Sequence, residues 1–414
     1  MPGLREGPEE QPEPPGELGY GALLRVEGFP RLVISVLLGR IAGQMLAVGL
    51  VLFVLSRYGS PPLAGAATFV LIFPGLVLSP VAGALLDRYG RARLIAVDYA
   101  VVAGTLFLIA TLSASHRLPP ALLLGICGAA SLTGPLSAAG ARSMFPTVVP
   151  GHLWERANAL DNSGHVLAAV IGAPLAGLLV GFVGPEWALG ATASLFALAG
   201  LAILGVGDPG LRQRERAVLE EAWSGLVYVL RNRTLAGLAL TFFAYGVGWG
   251  CLVIAVPVLL LERLHQGPAV VGYVWGAVGA AGFVSTLIVG RIRTLGRERR
   301  LMAASILAVA AAMAALPLAT SVALVAAALV LVALVETPFD IAFLTLRQRR
   351  TDPARFGRVF AISMSLNVAG APVGSAIAGP LISWSLSGAL WVAVAFTAAA
   401  AIVPLLVIPA KDEH

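Results

Sequence analysis

The sequence predicts an all-α polytopic membrane protein of twelve transmembrane helices, arranged as two pseudo-symmetric six-helix bundles. Three observations predict it. The chain of 414 residues is 58% hydrophobic and only 12% charged, with mean hydropathy +0.88, whereas about a quarter of the residues in a soluble domain carry charge. Its apolar residues gather into stretches of roughly 20, the length that crosses a hydrocarbon core as a helix. The chain also repeats itself. Arg156 to Gly172 and Gly177 reads R-A-N-A-L…G-A-P-L-A-G, and 202 residues later Arg358 to Gly374 and Gly379 reads R-V-F-A-I…G-S-A-I-A-G, while Pro135 and Pro338 lie 203 apart. A register held over two helices points to two halves in parallel orientation.

Taken in order, residues 1–20 contain Pro-Glu-Glu-Gln-Pro-Glu-Pro-Pro at 8–15, too little apolar surface to fold, and are expected to form a disordered tail. They lack the basic start, apolar core and small-residue cleavage site of a signal peptide. The N-terminal bundle is expected over 21–207, with spans near 31–56, 63–86, 94–114, 118–140, 156–183 and 186–206. A cytoplasmic linker follows over 208–234, where Leu219, Trp223, Leu226 and Leu230 form one helical stripe with charges largely opposite, the pattern of a helix lying in the membrane interface. The C-terminal bundle is expected over 235–410, with spans near 235–261, 269–290, 300–318, 321–346, 358–384 and 387–409, before a tail at 411–414.

Charge sets the orientation. Of the 28 basic residues, 27 are Arg and one is Lys411. If the N-terminus is cytoplasmic, only Arg57, Arg117 and Arg263 fall outside and Arg40 falls within the first span, so the positive-inside rule places both termini in the cytoplasm. The net charge of +6 is explained by this placement, and no nucleic-acid partner is expected. Cys127 and Cys251 both fall inside spans, which gives neither a disulfide framework nor a metal site.

Between the second and third spans lies a compact charged turn, Gly83-Ala-Leu-Leu-Asp87-Arg88-Tyr-Gly90-Arg91-Ala-Arg93. Gly83 has no side chain to keep a neighbouring helix away. Asp87 supplies an anion that can seat on another helix's positive N-terminal end, and Arg88, Arg91 and Arg93 hold the turn at the cytoplasmic side. One partner for Asp87 is the start of the eleventh helix, where Asp352-Pro353 supplies an N-cap and a first-turn proline. The simpler reading is a topology-setting loop.

The turn has the form G-x-L-x-D-R-x-G-R-x-R and resembles the loop between the second and third helices of the major facilitator superfamily of secondary transporters, with Ala92 where that family usually has another base. Val148 to Leu160, the linker Trp-Ser-Gly-Leu-Val-Tyr-Val-Leu-Arg-Asn-Arg and the Arg358 stretch are similar to the branch of drug, macrolide and siderophore exporters. Gly172, Pro174 and Gly177 resemble that family's glycine-proline antiporter motif in the fifth helix, imperfectly. The family's basic motif in the fourth helix is missing, since the span from Leu118 to Gly140 has no Arg or Lys. The second half's counterpart of the charged turn, Gly290 to Arg300, keeps glycines and bases and is read as having lost the acid.

Ionisable side chains inside spans cost about 2.5 to 3.5 kcal/mol each on insertion scales and are functional candidates. Arg40 and Gln44 lie i, i+4 on the first span, Asp161 and His165 on the fifth beside Asn162, and Glu336 and Asp340 on the tenth. The resemblance implies that these helices line a central cavity, with Tyr245, Trp249 and Asn367 as further candidates. Two carboxylates one turn apart in a low-dielectric cavity do not both ionise easily, so Glu336 and Asp340 are candidates to share a proton. Alternatively, either acid is a structural partner of Arg347 or Arg40. His165 is a coupling candidate or a packing histidine, and Asp98 a partner for nearby arginines. Phe242, Phe243, Tyr245, Trp249, Tyr273 and Trp275 either line a cavity for flat or cationic compounds or pack between helices. Gly246-x-x-x-Gly250 and Gly272-x-x-x-Gly276 are close-packing faces.

The expectation is a monomeric transporter in the cytoplasmic membrane of a prokaryote, exporting amphipathic small molecules by alternating access in exchange for protons. An importer or facilitator of a nutrient or metabolite would use the same fold. No cofactor is implied. An enzyme would need a nucleophile, metal cluster or phosphate loop that the sequence does not offer, and a receptor would need a folded extramembrane domain.

Overall fold

The computed structural model describes residues 20–207, 227–289, 296–351 and 366–409, apart from the side chains of Pro80, Ala84 and Asp87. The tail up to residue 19, the linker core 208–226 with Leu219, Trp223 and Leu226, and the Asp352-Pro353 helix start lie outside the described residues.

A short helix α1 (Tyr20–Arg25) leads into α2 (Phe29–Tyr58), α3 (Pro61–Tyr89), α4 (Arg91–Ala114), the pair α5 (Pro120–Ser131) and α6 (Gly134–Val148), α7 (Trp154–Phe182) and α8 (Pro185–Ile203). The stretch 227–231 (α9) precedes the second set, α10 (Arg233–Val258), α11 (Pro268–Val289), α12 (Glu298–Met313) and α13 (Val322–Arg349). The stretch 366–368 (α14), α15 (Gly370–Trp384) and α16 (Leu386–Val407) complete it. Among the described residues, 11 helical spans are long and apolar enough to cross a membrane, α5 with α6 counting as one and α10 with its π-helical end as another. The expected ninth span is shorter than its apolar run: α12 has 16 residues and gives way to turns at 314–317.

Local sequence explains the helix starts. The Ser60, Asn232, Ser321 and Ser385 side chains accept backbone N–H groups three residues on, satisfying donors that have no partner within the helix. Gly90 joins α3 to α4 at φ 92°, a conformation that side chains disfavour, so the charged turn is sharp enough to return the chain at once.

Lipid is as apolar as leucine, so helices associate through close packing and hydrogen bonds rather than through the hydrophobic effect. In the first half Ser35 donates to the Ala199 carbonyl at 2.7 Å, joining α2 to α8, and the Tyr99 ring of α4 lies over Gly39 and against Phe196. In the second half Ser375 donates to Gly250 O at 3.1 Å and Cys251 to Gly374 O at 3.3 Å, joining α10 to α15.

Two seams join the halves. On the first, a Cβ added to Gly177 of α7 would lie 2.7 Å from Pro268 O and 2.8 Å from Gly272 Cα of α11, and Gly276 abuts Pro174. On the second, Gly379 of α15 packs on the Pro61-Pro62 backbone of α3, and Gly65 on the Ser375 carbonyl. Both seams lie toward the end where α3, α11 and the loops with Arg57, Arg117 and Arg263 begin, here called the arginine-poor end. The opposite, arginine-rich end carries the Arg88 to Arg93 turn. There α7 exposes Asn162, Ser163 and His165, polar groups that no lipid-facing surface would favour. Among the described residues the halves interlock at the arginine-poor end, and α7 exposes polar groups toward the other.

Arg57 and Arg263 of the arginine-poor end each tie elements within their own half. Arg57 contacts His116 and donates to Ser113 O at 3.1 Å, and the Ser113 hydroxyl donates to Glu186 at 2.7 Å. Arg263 donates to Pro317 O and Ser387 Oγ at 3.0 and 3.1 Å.

Candidate functional site

Arg40 and Asp161 form the central polar contact of the first half. The guanidinium of Arg40, on α2, meets Asp161 Oδ1 on α7 at 2.8 Å and donates to the Asp161 backbone carbonyl at 2.8 Å. The side chains are 16% and 20% exposed, so the pair is largely removed from water. Gly164, one turn along α7, leaves room for the guanidinium: a Cβ there would sit 3.4 Å from Arg40 Nη1. Gln44, one turn along α2, packs its Cβ on Gly172, so the i, i+4 face of α2 is seated on α7 at both positions. The alternative of Arg40 as partner of a tenth-helix acid gives way to this contact, because α2 packs on α7.

Two hollows flank the pair. One, of about 110 Å³, is lined by Val36, Leu37, Arg40, Asp161, Gly164 and Leu167, among others. The larger, of about 380 Å³, lies between α6 and α7 and is lined by Arg142, Phe145, Trp154, Asn158, Asn162 and His165, with Asp161 at its edge. Arg142 corrects the sequence reading of a fourth span without a base. The hydropathy window closes that span at Gly140, but α6 continues to Val148 and carries Arg142 into the hollow, within electrostatic reach of Arg40 and His165. His165 is exposed there rather than packed.

The fourth span breaks at Leu132-Thr133 between α5 and α6. Asp98 of α4, 3% exposed, faces this break. Its carboxyl meets the hydroxyls of Thr133 and Ser137, and Oδ1 closes no hydrogen bond among the described residues. The expected arginine partner is absent among the described residues because the arginines of the turn begin α4 one to two turns earlier, at the helix end.

In the second half Glu336 and Asp340 share one face of α13, and both act on the Tyr245 hydroxyl of α10, which faces Glu336 without closing an aligned hydrogen bond. Tyr245 is 4% exposed and packs with Phe242 and Phe339, its centroid 5.2 Å from that of Phe339, while Phe343 packs on both phenylalanines. Trp249 meets Trp275 edge to face at 5.7 Å. These aromatics fill the α10 interface rather than line an open cavity, while Tyr273 is exposed. Arg347 is fully buried with its guanidinium 4.3 Å over the Phe343 ring, and Asn367 is buried at 2%.

The charged turn is placed differently from expectation. Gly83 lies inside α3 rather than at its end, and among the described residues nothing lies within 4 Å of a Cβ built on it. The start of the eleventh helix, its expected neighbour, lies outside the described residues. Arg88 stacks on Tyr89 at 5.4 Å, and Arg91 and Arg93 open α4. The Asp87 side chain and its proposed partner lie outside the described residues. In the second half, Glu298 at the start of α12 is buried and pairs with Arg349 at 2.5 Å, a tie between α12 and α13 that the sequence comparison of the two turns did not anticipate. The helix-motif residues divide their tasks: Gly172 faces α2, and Pro174 and Gly177 face α11.

The family comparison agrees with this architecture. The model of the Major Facilitator Superfamily matches residues 32–319 and 238–414. An uncharacterised MFS-type transporter of Sinorhizobium fredii is 39% identical over 400 residues, 95% of this chain and 98% of that protein. The multidrug efflux pump Tap of Mycobacterium tuberculosis is 26% identical over 342 residues, 79% of this chain and 80% of the pump. Among solved structures, a D323A mutant of the nucleoside transporter NupG superposes with TM-score 0.76 at 12% identity, covering 92% of this chain and 99% of that one. A bacterial homologue of the human lysosomal transporter Spinster, inward-facing and unoccupied, superposes with TM-score 0.68 at 13% identity, covering 91% and 94%. With the sealed seams, the broken fourth span and these matches together, the chain belongs to the major facilitator superfamily and is a membrane transporter of that family.

Proposed function

We propose that this transporter exports amphipathic small molecules from the cytoplasm by alternating access, in exchange for protons, and works as a monomer in the cytoplasmic membrane of a prokaryote. The observation that carries the reading is the hollow of α6 and α7, open at the arginine-rich end and backed by the Arg40–Asp161 pair, while the glycine seams seal the other end. With arginines cytoplasmic, this is a conformation that loads from inside. The direction is supported by the efflux pumps among its relatives. Glu336 and Asp340 are the proton carriers in this reading, since two carboxyls one turn apart hold one charge more easily than two. Asp161 carries a pairing that a proton would release.

Purified protein in liposomes, given an imposed pH gradient and a panel of fluorescent amphipaths, tests the reading. Uphill movement of a compound with opposing proton movement is expected, and equilibration that ignores the gradient would make the protein a facilitator. Orientation is checked with a cysteine at position 215, which should react with a membrane-impermeant reagent only after cells are opened. Labelling in intact cells would reverse the direction of the mechanism.

A further inference from the structure

The charges around the larger hollow do not balance. Its lining includes Arg142 and His165 on facing helices, and its one acid, Asp161, is already held by Arg40 through two contacts at 2.8 Å. Glu155 sits in the first turn of α7 and is exposed, outside the lining. Glu336 and Asp340 belong to the other half, against Tyr245. Among the described residues no carboxylate pairs with Arg142, whose charge acts on both Arg40 and His165. Arg142 stands exposed in the hollow beside Arg40, so the recess carries a positive potential that solvent and salt partly screen. Trp154 and Phe145 form apolar walls beside it, and Asn158 and Asn162 add hydrogen-bonding groups.

Resting on the export reading above, we propose that the hollow between α6 and α7 binds an organic anion, with Arg142 taking the anionic head and Trp154 and Phe145 the apolar body. A guanidinium accepts a carboxylate, sulfonate or phosphate through two parallel N–H···O bonds. The Arg142 fork is free for that role, whereas the Arg40 fork is used by Asp161. His165, when protonated, adds a second donor. A cationic drug head would meet Arg142 and His165 with no free acid among the described residues to answer it. The chemistry fits a free organic acid or the head of an anionic lipid, and the experiment separates the two.

The test uses the full chain in neutral detergent and three probes on one ring system: 2-naphthoate, 2-naphthalenemethanol and 2-naphthylmethylammonium, with binding measured by calorimetry. The unaltered protein should prefer the carboxylate to both others by about tenfold or more. Arg142→Gln should reduce that preference to within about threefold, while Arg142→Lys, which keeps the charge, should retain most of it. The preference should shrink as salt rises. Equal binding of the three probes by the unaltered protein, or tighter binding of the ammonium probe, overturns the proposal even if no variant folds. Preference retained in Arg142→Gln overturns the role of that residue. Repeated in nanodiscs with and without phosphatidylglycerol, displacement of naphthoate by the lipid that depends on Arg142 would assign the site to a lipid head and overturn its role as a substrate site. Failure of proton-coupled transport with naphthoate preference intact would refute the export reading and leave the anion site standing.

Discussion

Gly272→Ala should hold the arginine-poor end open. A Cβ at this position of α11 would lie 2.8 Å from Ala173 O and 3.0 Å from both Pro174 Cα and Pro174 O, where carbon contacts normally rest at about 3.5 to 4.0 Å. All three obstacles are backbone atoms, so no rotamer change relieves them and α7 must back away by about 0.7 Å or more. Overpacking of this kind costs about 1 to 3 kcal/mol, and it is felt only in the sealed conformation. The ratio of sealed to open forms should therefore fall by about 5- to 150-fold. Spin labels at the exposed positions Phe182 of α7 and Tyr273 of α11, read by double electron–electron resonance, should show the short-distance population replaced by a longer one, with uphill transport slowed. Gly282→Ala on the same helix is the control, because nothing lies within 4 Å of its Cβ. An unchanged distance distribution in Gly272→Ala, or the same change in Gly282→Ala, would refute the assignment of this seam as the gate.

Three further outcomes are expected. Asp161→Asn leaves Arg40 without its carboxylate and should lower stability by about 2 to 3 kcal/mol, somewhat less than for a fully buried pair; the Arg40→Gln, Asp161→Asn double variant should recover most of it, and additive losses in thermal unfolding would show the pair to be uncoupled. Glu336→Gln should keep substrate exchange down a gradient, lose accumulation against one, and flatten the pH dependence of substrate binding; uphill pumping with the normal profile would move coupling to Asp161 and His165 or away from protons. Asp98→Asn keeps the shape facing Thr133 and Ser137 while removing an acid that has no basic partner among the described residues, so thermal unfolding should be unchanged or higher, whereas a loss of several degrees would indicate an ion pair.

What the sequence made legible is what depends on short-range pattern. Hydropathy located the spans because a bilayer demands a run of about 20 apolar residues, and the i, i+4 spacing put Arg40 with Gln44 and Glu336 with Asp340 on shared faces because the helix repeat dictates it. The glycine pairs on α10 and α11 were readable for the same reason, since a close approach leaves no other residue possible. What stayed hidden depends on the partner helix. Arg142 was lost because averaging over a window ended the fourth span before Pro146, although α6 tolerates that proline. The choice of Asp161 rather than Glu336 as partner of Arg40 is a contact across 121 residues, and periodicity carries no information about it. Tyr245 and Trp249 pack against neighbouring rings in this conformation, and an aromatic stripe is equally suited to a cavity wall and to a packed interface.

The two halves share a repeat but have divided the charge between them. Around its hollow the first sets bases, Arg40 and Arg142, against one acid that is already paired; the second sets two acids on one face of α13 beside a buried tyrosine. A charge in low dielectric is tolerated only when something answers it, so in the proposed cycle each half calls for a different ligand. An anion entering from that end would satisfy the first half, and a proton arriving from the other would satisfy the second. Closure at the arginine-rich end brings the halves together, and the cost of bringing unlike sites into one dry cavity then depends on what each is carrying. Two ligands that bias the same rocking equilibrium in opposite directions are coupled without touching one another. The glycine seam supplies the bistability this needs, because backbones in van der Waals contact either interlock or separate, and they do not deform by degrees.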